Sequence, residues 1–443
     1  MTGRRRTTAF RSTTSAAITA LCTAVCASLI TACGALPGNA GGSGEPLTVM
    51  TWAPDGTKAT NMPGMPAMAK AYERWVNANG GINGHDLKVL TCNEHNTAQG
   101  AAACARKAVQ AGAVAVVGSY SQHGLAFMAP LETAGIPFIG GYGVSAEEFQ
   151  SVLSYPVNGG QPVLLAGAGR QLARTCDKVA LVRPDTLPGD TMPILLNAGL
   201  KSGDQHAAAD VRAAEDATDY SAKAREALDE AGASASLPGR IGTSAAKDKA
   251  AKGCVTAVLG ERTETFFDSF RRVESDDQRV RISSVLGSVS QSLVDRTGGK
   301  EGPFEGAYVT GWYPVATDAR WAPMRRVITR HAFGDDRIDP ADTGVQTTWI
   351  AYTVFTEIIK GLGDSEITGR KVAKALNRSE GVKTGGLTPD LSWRFKDLRA
   401  VGGFPRLVNG RVTFQEVREG RLVGQGEGSR DMTDTLEASR ATG

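Results

Sequence analysis

Residues 64–84 read Gly-Met-Pro-Ala-Met-Ala-Lys-Ala-Tyr-Glu-Arg-Trp-Val-Asn-Ala-Asn-Gly-Gly-Ile-Asn-Gly, a helix followed by an abrupt stop. Met65, Met68, Tyr72, Val76 and Asn79 recur at intervals of three and four, which lines them along one helical face. Gly80 and Gly81 then end the helix, because glycine takes up the left-handed turn past a helix terminus without steric cost. Short apolar runs flank this unit at 47–51 and 87–92, so the local reading is strand, helix, strand. Outward from there the alternation continues, with further strands predicted at 113–117, 137–139, 178–182, 255–259, 280–285 and 307–310. Helices are predicted between and after them at 98–111, 125–134, 162–175, 219–231, 265–273, 346–359 and 369–376. Such alternation predicts an α/β chain built on parallel sheets covered on both faces. The series runs once before about Tyr155 and again after it, and 443 residues exceed what one core usually serves, so two similar lobes are expected. Residues 232–253, rich in Ala, Ser, Gly and Lys, interrupt the second series and read as a solvated insertion.

Composition is that of a globular chain, 41% hydrophobic and 21% charged. The net charge of +3 is uneven. Arg4, Arg5, Arg6 and Arg11 stand in the first 32 residues with no acidic residue, and 49 basic residues less these four leave 45 against 46 acidic ones. A nearly neutral body offers no basic field for nucleic acid, and none is expected as a partner. The basic start, the apolar stretch 16–30 and the small residue before a cysteine form a secretory signal over residues 1–32. Ile30-Thr31-Ala32-Cys33 resembles the bacterial lipobox, which implies that Cys33 carries a diacylglycerol and becomes the first residue of a chain held to the outer face of the cell membrane. Residues 33–45 are then a flexible Gly-rich tether, and 426–443 a polar tail.

The stretch 64–84, sharpest at Asn79-Gly80-Gly81-Ile82-Asn83-Gly84, resembles the branched-chain amino-acid type of solute-binding proteins of ABC transporters. Further matches in order and spacing are Val114 to Gly124, Gly135-Ile136-Pro137-Phe138-Ile139, Asp219-Tyr220-Ser221 and Tyr352 to Gly361. Gly385-Gly386-Leu387-Thr388-Pro389 with Trp393, and Asn409-Gly410, resemble the C-terminal region of actinobacterial-type members. The resemblance implies a type I periplasmic-binding fold: two lobes, each a parallel sheet with helices on both faces, joined by three crossings near 154–158, 308–313 and 387–393. Lobe one would hold 46–155 plus 312–389, and lobe two 156–311 plus 390–425. It also implies an extracytoplasmic protein that takes a small polar ligand (amino acid, amide or related) between the lobes and passes it to ABC permease subunits. The alternative is a ligand-sensing component signalling through a separate partner.

In such a fold the loops after the strands line the crevice and present backbone donors. The resemblance points first to Gly118-Ser119-Tyr120-Ser121-Gln122-His123-Gly124, with Ser121 and Gln122 holding a ligand carboxylate and His123 close by. Ser121 as a helix cap is the structural alternative. Tyr142 and Gly143 follow the fourth strand and offer an aromatic wall and backbone groups; Trp52 follows the first and would either stack on the ligand or pack in the core. From lobe two come Asp185, Glu261 with Arg262, and Ser288. Members that bind aliphatic amino acids carry an aromatic and an acid where this chain has Gly260-Glu261-Arg262-Thr263 and Gly287-Ser288-Val289, which argues against a leucine-type ligand.

Beyond Cys33, four cysteines remain in the body, and an exported chain favours disulfides. Cys92 ends a strand and Cys104 lies on the next helix, whereas Cys176 and Cys254 each precede a lobe-two strand, so the pairs Cys92–Cys104 and Cys176–Cys254 are predicted. No metal site or cofactor is expected, with Cys92, His95 and Cys104 too loosely spaced for one. Ser244-Ala245-Ala246-Lys247 has the Ser-x-x-Lys spacing without its companion motifs, and no other catalytic signature stands among the five histidines and their surroundings, so no enzyme is expected.

Overall fold

The computed structural model describes residues 44–233, 253–260, 262–274, 280–285, 288–363, 366–399, 401–426 and 428–438. Cys33, Glu261 and the Ser244 to Lys247 motif lie outside them. The helix Gly64–Ala78 buries Met65, Met68, Tyr72 and Val76, as its spacing predicts. Asn79 falls off this face: it is exposed and its amide donates back to the Trp75 carbonyl. Gly80 and Gly81 both take positive φ, and the Gly81 amide closes on the Val76 carbonyl. The buried face meets the helix Thr343–Lys360, where the Tyr72 ring packs against Trp349 and Tyr352 at 5.3 and 5.2 Å.

Ten strands make two matching parallel sheets. In the first, β1 (Gly44–Ala53), β2 (His85–Asn93), β3 (Ala115–Val117), β4 (Phe138–Ile139) and β5 (Ser154–Tyr155) lie in the order β2-β1-β3-β4-β5. In the second, β6 (Lys178–Pro184), β7 (Ala209–Ala213), β8 (Gly253–Ala257), β9 (Arg281–Ser284) and β10 (Tyr308–Gly311) lie in the order β7-β6-β8-β9-β10. The two orders are the same strand for strand. Each sheet starts at an inner strand (β1, β6), steps outward, then crosses back, so a crevice opens where the direction reverses, at the C-terminal ends of β1 and β3 and of β6 and β8. The second sheet is extended by antiparallel β11 (Arg411–Arg418) on β10, then by β12 (Arg421–Gly424), with β13 (Arg430–Asp431) also on β11.

The passages between the sheets pack on one another. Asn158, just past β5, donates to the Tyr313 hydroxyl at 3.0 Å, and Tyr313 shares a hydrogen bond with Thr347. The indoles of Trp312 and Trp393 donate to the carbonyls of Gly160 and Pro156. The third passage comes later than Leu387 to Trp393. Arg406 still bonds the carbonyls of Phe149 and Ser154, on and before β5, and the chain joins the second sheet only at Arg411.

Every strand expected from an apolar run is present. β7 was not legible: Ala-Asp-Val-Arg-Ala is an edge strand whose Asp210 and Arg212 face outward, leaving one large apolar residue, Val211. The helices Met192–Lys201, Gln291–Arg296 and Ala322–His331 were also unread, the last because basic residues dilute its apolar face.

Both predicted disulfides are formed. Cys92–Cys104 ties β2 to the helix Ala98–Gln110, and Cys176–Cys254 ties the approach to β6 to its neighbour β8, where Cys254 stands opposite Val179. A disulfide stabilises chiefly by shortening the free loops of the unfolded chain. The Cys176–Cys254 closure spans 78 residues and the Cys92–Cys104 closure 12. Replacing the first pair by serine is therefore expected to cost about 4 kcal/mol, and the second about 3 kcal/mol. Urea unfolding of the two double variants reads this, and equal losses, or none, would contradict it.

Candidate functional site

The loop after β1, residues 54–63, leaves the first sheet and reaches the second. Arg262 donates to the Lys58 carbonyl at 2.9 Å, and Thr60 lies against Gly260, where any added Cβ would stand 2.9 Å from the Thr60 hydroxyl. Gly260 also has a positive φ of 58°, so both backbone and space call for glycine. A second interlobe hydrogen bond joins Ser292 Oγ to Asp339 Oδ2 at 2.6 Å.

Two adjoining chambers lie near these contacts. The inner one, about 60 Å³, is bounded by Thr60, Tyr120, Gln122 and Val144 from the first lobe and by Gln161, Thr186, Met192, Glu215, Val258 and Gly260 from the second. The outer one, about 560 Å³, shares Thr60, Tyr120, Val144 and Gly260 with it and extends past Tyr142, Ser288, Arg296 and Asp342. A groove on the other flank of the 54–63 loop carries Asp185, Arg212 and Lys223.

Polar groups at the inner chamber are unevenly satisfied. Gln122 donates to the Tyr120 hydroxyl at 3.2 Å. Gln161 is buried, and its Nε2 has no hydrogen-bond partner among the described residues, nor has the buried Nε2 of His123. Burial pushes the Glu215 carboxyl up, Asp216 adds to that, and His123 pulls the other way. Two further carboxyls sit behind the first-lobe loops. Glu94, fully buried, accepts from Ser121 Oγ and the Asn96 amide, both at 3.1 Å. Glu148 accepts from the amides of Gly143, Val144 and Ser145 at 2.9 to 3.1 Å and from the Ser145 hydroxyl. Burial drives both up to about 7. In the outer chamber burial holds Asp342 at about 6, against the pull of the Val345 amide that it caps.

The expected site residues separate on this geometry. Gln122 reaches the inner chamber, and Tyr142, Arg262 and Ser288 line the outer one. His123 lines neither chamber; its charge pulls the Glu215 carboxyl down. Tyr142 shares a hydrogen bond with Thr343, and its ring meets Tyr120 at 5.2 Å and Trp312 at 5.0 Å. Ser288 donates to the Val285 carbonyl. Trp52 is a correction: it is fully buried against Phe127 and Phe138 at 5.4 and 5.8 Å, because successive side chains of β1 point to opposite faces and its own faces the helices, away from the crevice. Ser121 and Gly143 are turned inward onto Glu94 and Glu148, and Ser121 also accepts from the His123 amide as a local cap. Asp185 lies in the flanking groove beside Arg212.

Sequence reading did not reach Thr60, Gln161, Thr186 or Glu215. Glu215 follows the unread strand β7, and Gln161 precedes the predicted helix start at Pro162 by one residue. Gly159-Gly160 before it was the available signal, since the chain turns there at a positive φ of 58°. Among the described residues no group of three or more His, Cys, Asp or Glu is placed to hold a metal ion, and no helix is long and apolar enough to cross a membrane.

The raised carboxyls make stability depend on pH. The folded state keeps protons on Glu94 and Glu148 that the unfolded chain releases near the ordinary value of 4.5. Their contribution is fully present below 4.5 and is lost as pH rises through about 7. The melting temperature is expected to be lower at pH 8 than at pH 5.5, with a shallower fall in Glu94→Gln and Glu148→Gln; a slope unchanged in both variants would refute this origin.

Solved structures share the architecture. An extracellular ligand-binding receptor from Verminephrobacter eiseniae superposes with a TM-score of 0.66 at 16% identity, covering 85% of this chain and 99% of that one. A leucine-binding protein from Thermotoga maritima gives 0.63 at 12%, with 88% and 99% covered. An ABC-transporter solute-binding protein from R. palustris, in complex with 4-hydroxybenzoate, gives 0.66 at 13%, with 88% and 97% covered. At these identities the likeness establishes the fold alone. No curated protein sequence matches the chain. The profile of the periplasmic binding protein family matches residues 50–404, most of the length, and the chain belongs to that family.

Proposed function

We propose that this is an extracytoplasmic solute-binding lipoprotein, not an enzyme, which captures a small polar ligand, an amino acid, amide or related compound, between its lobes and delivers it to an ABC permease. The observation that carries this reading is the inner chamber, whose walls come from strand-end loops of both sheets and whose polar groups include Gln161 Nε2, without a hydrogen-bond partner among the described residues. A ligand bridging Gln122 on one side and Gln161, Thr186 or Glu215 on the other interacts with both lobes only when they are together. Differential contact of this kind shifts an open–closed equilibrium toward closed. The interlobe bonds Arg262 to Lys58 and Ser292 to Asp339 rim the chambers and would form or break with that motion. The solute-binding family supports a non-catalytic role outside the cytoplasm. The lipid anchor at Cys33 and the route to a permease rest on the sequence resemblance.

A thermal-shift screen of the purified full chain against amino acids, amines, amides, sugars and small carboxylates tests the reading, because a ligand that binds only the folded state raises the melting temperature by mass action. At least one class is expected to stabilise, and Gln122→Ala combined with Gln161→Ala is expected to weaken that ligand more than tenfold; full affinity in this variant would move the site elsewhere. For the anchor, Cys33→Ala is expected to shift the protein from the membrane to the soluble fraction on cell fractionation, and continued membrane association would exclude it.

A further inference from the structure

We infer that the inner chamber selects a ligand whose head group is a positively charged amine and which carries no carboxylate beside it. The inference rests on the solute-binding reading above and narrows its ligand class. Its first ground is charge. The inner chamber is lined by one ionisable acid, Glu215, with no lysine or arginine among its described lining residues. Of the guanidiniums close to it in the chain, Arg183, next to Pro184, is paired with Asp190 and Asp210, and Arg262 donates through two nitrogens to the Lys58 carbonyl, while Arg296 and Arg337 of the outer chamber are held by Glu264 and Asp335. Glu215 also borders the flanking groove with Lys58, Arg212 and Lys223, but those cations line that groove and not the inner chamber, so a carboxylate in the inner chamber would meet Glu215 first, and like charges in a poorly solvated space repel strongly.

The second ground is the state of the anion-binding loops. Loops that follow parallel strands and open helices usually hold free donors for an anion. Here such donors are taken by the chain's own carboxyls: the Ser121 hydroxyl and Asn96 amide by Glu94, and the amides of Gly143, Val144 and Ser145 by Glu148. The chain therefore carries, built in behind the crevice, the groups that a ligand carboxylate would otherwise supply.

What remains facing the inner chamber suits an ammonium. Glu215 offers a half-buried carboxylate that gains from a cation, and the hydroxyls of Tyr120, Thr60 and Thr186 offer lone pairs. Gln161 has an unbonded amide terminus in a buried setting, and turning that terminus over presents its carbonyl oxygen to the same nitrogen. Val144, Pro184, Pro188, Met192, Val258 and Leu259 supply an apolar wall for the carbon body. The larger chamber, which shares Thr60, Tyr120, Val144 and Gly260 with the inner one, has the volume for a tail.

The test compares matched pairs that differ only by the carboxylate: leucine with 3-methylbutylamine, lysine with cadaverine, and tyrosine with tyramine, each titrated calorimetrically into the purified full chain, with neutral amides and sugars alongside. At least one amine is expected to bind ten times or more tightly than its parent amino acid, and Glu215→Gln is expected to weaken it at least tenfold while leaving the melting temperature of the free protein unchanged or higher. Amino acids binding as well as their amines, or a neutral compound binding best, would overturn the inference and leave the solute-binding reading standing. No binding in any class would remove that reading, and this inference with it. The wild-type comparison decides the matter even if the Glu215 variant folds poorly.

Discussion

The structure depends on one topological constraint: two parallel sheets with the same strand order, whose C-terminal edges supply loops to a common space. A parallel sheet puts all its strand-end loops on one edge, and an order that reverses between its first and third strands opens a crevice there. Duplication of that order brings two such edges to the inner chamber, one offering Tyr120 and Gln122, the other Thr186, Glu215 and Gly260. Everything functional in the account follows from where those loops meet. The hydrophobic stripe of the helix Gly64–Ala78 and the ring cluster of Tyr72, Trp349 and Tyr352 matter because they hold β1 and β3 in register beneath the loops, with the Tyr352 hydroxyl reaching Thr51 in β1 at 2.7 Å.

The crevice is also where the chain spends polar groups that a core would satisfy differently. Three carboxyls, Glu94, Glu148 and Glu215, sit in or behind it, and burial raises all of them. Glu94 and Glu148 are surrounded by donors from their own loops and act as internal clamps that fix the shape of 93–97 and 143–148. Glu215 has Asp216 near it and faces the chamber. An acid half withdrawn from water and aimed at a cavity costs stability unless something pairs with it, which marks Glu215 as a candidate binding group.

Much of this fold was legible in the residues. The period of Met65, Met68, Tyr72 and Val76, the Gly80-Gly81 stop, the apolar runs of eight strands and both cystine pairs were readable because each reports a local rule or a neighbour relation between adjacent strands. The site was legible only in part. Loops could be placed by counting from strands, which found Gln122, Tyr142, Arg262 and Ser288 at the chambers. Which way a side chain turns within a loop could not be counted. Trp52 turned to the core, Ser121 turned to the distant Glu94, and the Gly143 amide is taken by Glu148 within its own loop. Glu215 escaped because its strand shows one strong apolar residue, and Thr60 because the 54–63 loop crosses to the other lobe, a tertiary fact without a local signature.

The arrangement of the chambers implies a ligand held between the lobes by groups from both. The most direct measurement is a crystal structure of the protein with the compound that stabilises it most. That compound is expected in the inner chamber, touching Gln122 or Tyr120 on one side and Gln161 or Glu215 on the other. A ligand bound to one lobe alone, or in the cavity beside Trp312 and Arg411 at the passages between the lobes, would contradict it.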